Sequence, residues 1–322
     1  MAKRSSVKKL LISIFDKFLF IMVIPSALIL KLYRRLGSKD MQLSSYILKN
    51  IGLFPIRNHY YEPSFKYTEM DKKLLTERNL PGIKFNIRNQ INFLNELNYR
   101  DELLELNLKN SKSSSDFNFN NGSYESGDAE LLYQFIRHTK PAKIIEIGSG
   151  NSTKIACMAT KQNKNIDNVT TEHICIEPYE MPWLDDYKDI SVIRQDVQTI
   201  NLKWSEELKE NDLLFIDSTH MIQPNGDVLY IYLKILPLLK KGVNIHIHDI
   251  FSPNNYLEEW LLEDVRFWNE QYLVEAILSN SNNFEILVSL NHLWHEHPDE
   301  VKRVCPYIEE KREPGSLYLK KI

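Results

Sequence analysis

Several acids and histidines stand just after short apolar runs, where a chain leaves a core and meets ligand or solvent. Glu146 lies in KIIEI, Glu177 follows HICI, Asp196 follows VIRQ and Asp217 follows LLFI. A histidine, His220, comes three residues after Asp217, and a later run ends His246-Ile247-His248-Asp249. Two carboxylates such as Asp217 and Asp249, with water, suit Mg²⁺, which prefers oxygen ligands. An added imidazole shifts the preference toward Mn²⁺, Fe²⁺ or Zn²⁺. Without metal, His220 or His248 is a candidate general base, because histidine titrates near neutrality. A purely structural role for these groups is the third reading. The loop Glu146-Ile147-Gly148-Ser149-Gly150-Asn151-Ser152-Thr153 adds a backbone element. Its glycines allow a tight turn and close approach to a ligand, ahead of a helix N-terminus with free N–H groups. No GK[ST] follows, which excludes a phosphate P-loop, and Thr153 replaces the third glycine of a dinucleotide fingerprint.

These residues need strands and helices to place them. Residues 128–138 predict an amphipathic helix with Asp128 as N-cap. Strands are predicted at 143–147, 171–176, 190–194, 213–216, 243–247, 284–290 and 317–319, and helices at 152–160, 227–239 and 264–278. Alternation of this kind predicts a mainly parallel sheet covered on both faces, with ligands at the carboxyl ends of strands where the strand order reverses. Two-residue alternation puts His246 and His248 on one side of their strand. Trp268 and Tyr272, four apart on the predicted helix, share a face that suits core packing or stacking on a ring. His292, His295 and His297 fall in a loop ending at Pro298, placed for contact with an acceptor rather than for zinc. Residues 36–110 read as largely helical and polar, with a turn-rich stretch GLFPIRNHYYEP at 52–63, and 109–123 reads as a Ser/Asn-rich linker.

Glycine is scarce, 10 in 322 residues, yet four glycines fall between Gly122 and Gly150. The net charge of −3 hides an asymmetry. Residues 1–35 hold eight Lys/Arg and one acid, a net +7, which leaves −10 for the rest. An acidic body of this kind excludes a nucleic-acid partner, which would require a basic face. The three cysteines are widely spaced, without a CxxC pair, and point to a reducing compartment.

The basic head is apolar from Leu10 to Leu30 apart from Ser13, Asp16, Lys17 and Ser26, with Pro25 as a breaker. The 13 residues from 18 to 30 are short of the ~20 a spanning helix needs. No A-x-A cleavage site follows, which argues against a signal peptide. Three readings stay open: an in-plane anchor on anionic lipid, a single span, or packing on the body or a second subunit.

E-x-G-x-G after a strand resembles the first motif of class I S-adenosylmethionine-dependent methyltransferases, and the match covers about residues 117–322. The resemblance implies an α/β, Rossmann-like doubly wound sheet of seven strands, mainly parallel with an antiparallel C-terminal hairpin (284–290 and 317–319), preceded by a helical N-terminal region. It implies S-adenosylmethionine as cofactor, held by Glu146, Gly148, Ser149, Gly150, Ser152, Thr153, Glu177, Asp196 and Asp217. In it Glu146 meets the cationic amino-acid end, Glu177 the ribose hydroxyls and Asp196 the adenine. FNFNNGSYESGDAELLY, KIIEIGSGNST, FIDSTH, HIHDIF and RFWNEQYL look like a bacterial group related to cephalosporin-hydroxylase-like proteins, found with polysaccharide and specialised-metabolite genes. That similarity implies O-methylation of a sugar, glycan precursor or specialised metabolite. Metal-dependent O-methyltransferases of the catechol type carry an acid at one strand tip and a pair at the next. Here those positions are Asp217 and His248-Asp249, which implies Mg or Mn at these three residues, with His220, His248 and Asp249 catalytic. The domains expected are a head (1–35), a helical region with linker (36–116) and the methyltransferase domain (117–322). A cytoplasmic location at the inner face of the membrane is expected, with peripheral contact through residues 1–35, a small-molecule or glycan acceptor, and a homo-oligomer. The alternatives are an NAD(P)-dependent oxidoreductase and a non-catalytic membrane-associated scaffold.

Overall fold

Seven short runs rich in β-branched and apolar residues form one sheet in the computed structural model: β1 (Lys143–Ile147), β2 (Glu172–Ile176), β3 (Ser191–Ile193), β4 (Leu213–Ile216), β5 (Asn244–Ile247), β6 (Phe284–Ser289) and β7 (Leu317–Lys321). Their order is β3-β2-β1-β4-β5-β7-β6. The first five are parallel, and β7 runs antiparallel between β5 and β6. Structure is described for residues 2–57, 61–63, 78–106, 117–119, 121–179 and 181–322, with side chains from residue 8 onward. The linker predicted at 109–123 lies outside these residues up to 116 and at 120, as do 58–60 of the turn-rich stretch.

The chain divides into two units, residues 1–70 and 71–322. In the smaller unit, α1 (Ala2–Leu36) is followed by α2 (Gln42–Ile51). Pro25, expected to break the first helix, lies inside it. In that turn Ser26 Oγ donates to the Met22 carbonyl at 2.9 Å.

The larger unit contains α3 (Ile87–Glu96), α4 (Arg100–Glu105), α5 (Asp128–Thr139), α6 (Asn151–Asp167) and α7 (Lys203–Glu207). After β4, α8 (Asp227–Tyr230) continues through a wide turn, Ile231–Ile235, into α9 (Leu236–Leu238). Then come α10 (Glu270–Asn280), α11 (Leu290–Glu296) and α12 (Pro298–Val304). Alternation along the strands sorts side chains to the two faces. Ile144, Leu213, Phe215 and Tyr318 pack with residues of α5 and α6 such as Phe135, Ile136, Ile155 and Ala159. Ile145, Ile147, Leu214, Ile216, Ile245 and Ile247 pack with Val228, Ile231 and Ile235 on the other face.

Leu94, Leu97 and Leu103, around α3 and α4, join the first core, within residues 71–322. Two expectations change. The stretch around His292–His297 is helical, because Leu290, Leu293, Trp294, Val301 and Val304 bury one side of α11 and α12 in that core. The helix predicted at 264–278 begins only at Glu270. The N–H groups of Asn269 and Glu270 are held by the His220 carbonyl at 3.0 and 3.2 Å, and the Asn269 side chain accepts the Ile222 N–H at 2.6 Å. Trp268 is thus outside the helix and packs on Trp260, with ring centroids 5.0 Å apart.

Candidate active site

The strand order reverses between β1 and β4, and the loops after these strands are knit together: Gly148 N–H donates to the Ile176 carbonyl at 3.0 Å and Asp217 N–H to the Ile147 carbonyl at 2.9 Å. Gly148 has φ +78°, and a Cβ there would lie 1.7 Å from the Asp217 carbonyl oxygen. Only glycine serves at this crossing.

Glu146, Ser152 and Thr153 are buried and bonded to one another. Alternation puts Glu146 on the Ile144 face, beneath α6, where it is 1% exposed. Its carboxylate accepts Ser152 Oγ–H at 2.5 Å and Thr153 Oγ1–H at 2.8 Å, and lies 3.0 Å from His173 Nε2. Both hydroxyls at the start of α6 are thus turned inward, and the group clamps that helix to β1 and β2. Cys175 Sγ also reaches Glu146, at 3.5 Å, and burial pushes its thiol well above the usual range. Glu146, His173 and Cys175 lie close enough together for a metal ligand set, but the carboxylate oxygens are already occupied by the hydroxyls.

Glu177, Asp196 and Asp217 do share a cavity, of about 660 Å³, with Gly148, Tyr179 and Asp227. Glu177 accepts the Ser149 N–H at 3.2 Å and the Tyr179 N–H at 3.1 Å, and Tyr179 Oη donates to Asp196 at 2.8 Å. The lining holds four carboxylates and, among the described residues, no lysine or arginine. Such a wall repels a diphosphate and favours a cation.

Asp217, His248 and Asp249 converge at the tips of β4 and β5, with one donor atom from each within 4.8 Å of the others. His248 Nδ1 lies 3.4 Å from Asp217 and 3.6 Å from Asp249, is buried, and makes no hydrogen bond. His220 Nε2 lies 3.3 Å from Asp217 and 3.5 Å from Asp249. Its Nδ1 meets Glu270 at 2.8 Å, and the other Glu270 oxygen accepts Tyr232 Oη–H at 2.8 Å.

Burial opposes the charged form of His220, but hydrogen bonds to Asp217 and Glu270 outweigh it and push its pKa up to about 10. Burial likewise opposes protonation of His248, yet Asp249 and Asp217 raise it well above the ordinary value. Asp217 is held far below the carboxylate range, the two imidazoles overcoming its burial. Burial leads Asp249 the other way, upward. In the metal-free cluster the neighbouring carboxylates thus favour the protonated form of both histidines.

His248 and Asp249 also line a second cavity, of about 740 Å³, with Asp128, Tyr256, Trp260 and His292. His295 lines it as well and meets Glu313 at 2.9 Å. Asp128 was expected to cap α5. It instead accepts Gly315 N–H at 3.0 Å and Ser316 Oγ–H at 2.5 Å and faces His248 Nε2 at 3.7 Å, while Glu130 accepts the Gly127 N–H at the helix start. Glu270 was missed as a site residue. It stands 50 positions from His220, and only its place beside the aromatic run RFWN set it apart.

A doubly wound sheet with acids at the carboxyl ends of adjacent strands defines a nucleotide-cofactor α/β protein. Residues 145–250 match the family model described as a methyltransferase domain. A protein of Archaeoglobus fulgidus, described as uncharacterized, is 33% identical over 175 residues, covering 49% of this chain and 75% of its own length. Two solved structures are similar at lower identity. An O-methyltransferase from Bacillus cereus in complex with SAH is 13% identical, over 72% of this chain and 91% of that one, with TM-score 0.38. A cmcI structure with Mg and SAM is 14% identical, over 62% and 72%, with TM-score 0.36. Over residues 145–250 the chain therefore carries a methyltransferase domain, in a sheet of the Rossmann-like arrangement.

Proposed function

We propose that this chain O-methylates a hydroxyl of a sugar, glycan precursor or specialised metabolite, with a divalent metal at Asp217, His248 and Asp249. The observation that carries the reading is the place of this trio between two cavities: Asp217 lines the one ringed by acids, and His248 and Asp249 line the other. A cationic sulfonium cofactor suits the acidic cavity, where Glu177 and Asp196 stand at the tips of β2 and β3. The same acidity disfavours a nicotinamide dinucleotide, which would bring its diphosphate against four carboxylates.

The trio fits a metal because His248 Nδ1, buried and without a hydrogen bond, is aimed between two carboxylates. One nitrogen and two oxygens suit Mn²⁺ as well as Mg²⁺. A bound cation would lower the pKa of the acceptor hydroxyl. The chain's own residues align the partners and manage charge. The methyl moves from sulfonium sulfur to acceptor oxygen, the sulfur keeps the bonding pair as a thioether, and the hydroxyl proton must leave. With Asp249 held as a carboxylate by the cation, that proton would leave to solvent in the cavity that His248 and Asp249 line. His220, oriented by Glu270, balances the two aspartates.

Calorimetric titration with S-adenosylhomocysteine tests the cofactor. Binding is expected, and Glu177→Ala should weaken it, whereas no heat at about 1 mM ligand overturns the reading. Asp249→Asn should keep that binding and lose turnover. We also infer a cytoplasmic body held at the membrane by α1 as an anchor in the bilayer, since none of its most apolar 18 residues is buried.

A further inference from the structure

The smaller unit carries a second apolar surface beyond α1. On α2, Leu43, Tyr46, Ile47 and Ile51 are 83%, 70%, 55% and 71% exposed, and their i, i+3, i+4, i+8 spacing puts them on one helical face. Leu53, Phe54 and Ile56 follow, each more than two-fifths exposed. This face is not a free-swinging flap. Tyr33, near the end of α1, is buried with its Oη 2.7 Å from Ser45 Oγ, which in turn donates to the Ser38 carbonyl at 2.6 Å. Arg34 pairs with Glu62 and lies over the Phe54 ring at 4.5 Å. The turn between the helices is fixed where α1 ends.

The α1 helix itself is apolar all round from residue 18 to 30 apart from Ser26, whose hydroxyl is turned to the Met22 carbonyl, and its most apolar 18 residues have mean hydropathy 2.0. It lacks the polar face an in-plane helix needs, and its apolar 18 residues, at ~1.5 Å per residue, reach about 27 Å, near the ~30 Å hydrocarbon thickness. Around its end, residues 31–63 contain six Lys/Arg (Lys31, Arg34, Arg35, Lys39, Lys49, Arg57) against Asp40 and Glu62.

We propose that α2 together with Leu53, Phe54 and Ile56 is an interfacial shelf that lies on an anionic lipid bilayer where α1 emerges from it. An amphipathic helix with cations on its polar side and in the segments flanking it fits the boundary between headgroups and acyl chains of anionic lipid. The inference rests on the reading of α1 as a membrane anchor, and the test separates the two.

The full chain, with Cys157→Ser removing the one native thiol that is not fully buried, would carry an environment-sensitive fluorophore at single introduced cysteines. The positions are Phe20→Cys in α1, Ile47→Cys on the shelf face and Lys49→Cys off that face. The protein is reconstituted in phosphatidylcholine vesicles with or without phosphatidylglycerol, and nitroxide-labelled lipid is the quencher. Quenching several-fold stronger at positions 47 and 20 than at 49, with the signal at 47 reduced when phosphatidylglycerol is omitted, is the expected result. Quenching at 20 but not at 47 overturns the shelf and leaves the anchor. Quenching at neither position overturns both. A signal at 47 that is equal in neutral vesicles overturns the assignment to anionic lipid. A position 47 that is shielded in a detergent-borne dimer assigns the face to a second copy and also overturns the proposal.

Discussion

His220 and Asp249 both adopt left-handed backbone, with φ of 59° and 57°. Such a conformation costs a non-glycine residue roughly 1–2 kcal/mol, so the surrounding contacts must hold it. For His220 these are the ion pairs to Asp217, Asp249 and Glu270 and the Trp268 ring, 4.3 Å away. The same contacts set a pH dependence. In the folded chain His220 keeps its proton up to about pH 10, whereas an unfolded histidine loses it near pH 6.5. Its contribution is complete below about pH 6.5 and is lost as pH rises toward 10, at up to about 1.4 kcal/mol per pH unit. The raised His248 acts in the same direction. Replacing Glu270 by Gln removes one of the groups that raise His220. In metal-free protein, urea unfolding of the Glu270→Gln variant between pH 7 and 9 should show a shallower fall in stability than the parent. Identical slopes would mean that Glu270 does not hold the proton on His220.

At the scale of elements, the two glycines of the β1 loop separate fold from binding. At Gly148 a side chain meets backbone, the Asp217 carbonyl, at positive φ, and neither neighbour can yield. Gly148→Ala should lower stability by about 3 kcal/mol or prevent folding, seen as a large drop in thermal midpoint. Gly150 is extended, at φ −173°, and a Cβ there meets nothing closer than Met181 Cε at 3.8 Å. Gly150→Ala should therefore keep the parent's thermal midpoint, and weakened S-adenosylhomocysteine binding would mark it as a ligand-facing position. A matched loss of stability in the two variants would contradict this division. Much of this architecture is legible in sequence. KIIEI, HICI, LLFI and NIHI are short apolar runs bounded by loops, and the acids after them mark the strand ends. Less legible is the direction of a side chain at a strand's last residues. Glu146 reads as ligand-facing by motif, yet one-residue alternation and the α6 cover turn it into the protein. The start of α10 is hidden too, because it is set by hydrogen bonds to His220, 49 and 50 positions earlier.

For the whole molecule, charge and hydropathy divide the labour in a way no single element shows. Every residue of the two cavities and of the aspartate–histidine cluster lies in residues 71–322, whereas the long apolar helix lies in residues 1–70. Residues 71–322 carry a net −11 and are repelled by an anionic surface, so attachment must come from the +7 head and the exposed face of α2. Deleting residues 1–35 should release the protein from sedimenting membranes. The shelf would leave at most a residual fraction, held by apolar contact and a few cations, and about 0.5 M salt should remove it as charge attraction is screened. S-adenosylhomocysteine affinity should stay at the parental level, because the deletion touches no cavity residue. Unchanged, salt-resistant sedimentation of the truncated chain would refute α1 as the anchor. Loss of ligand binding on truncation would instead show that the active site depends on the first unit.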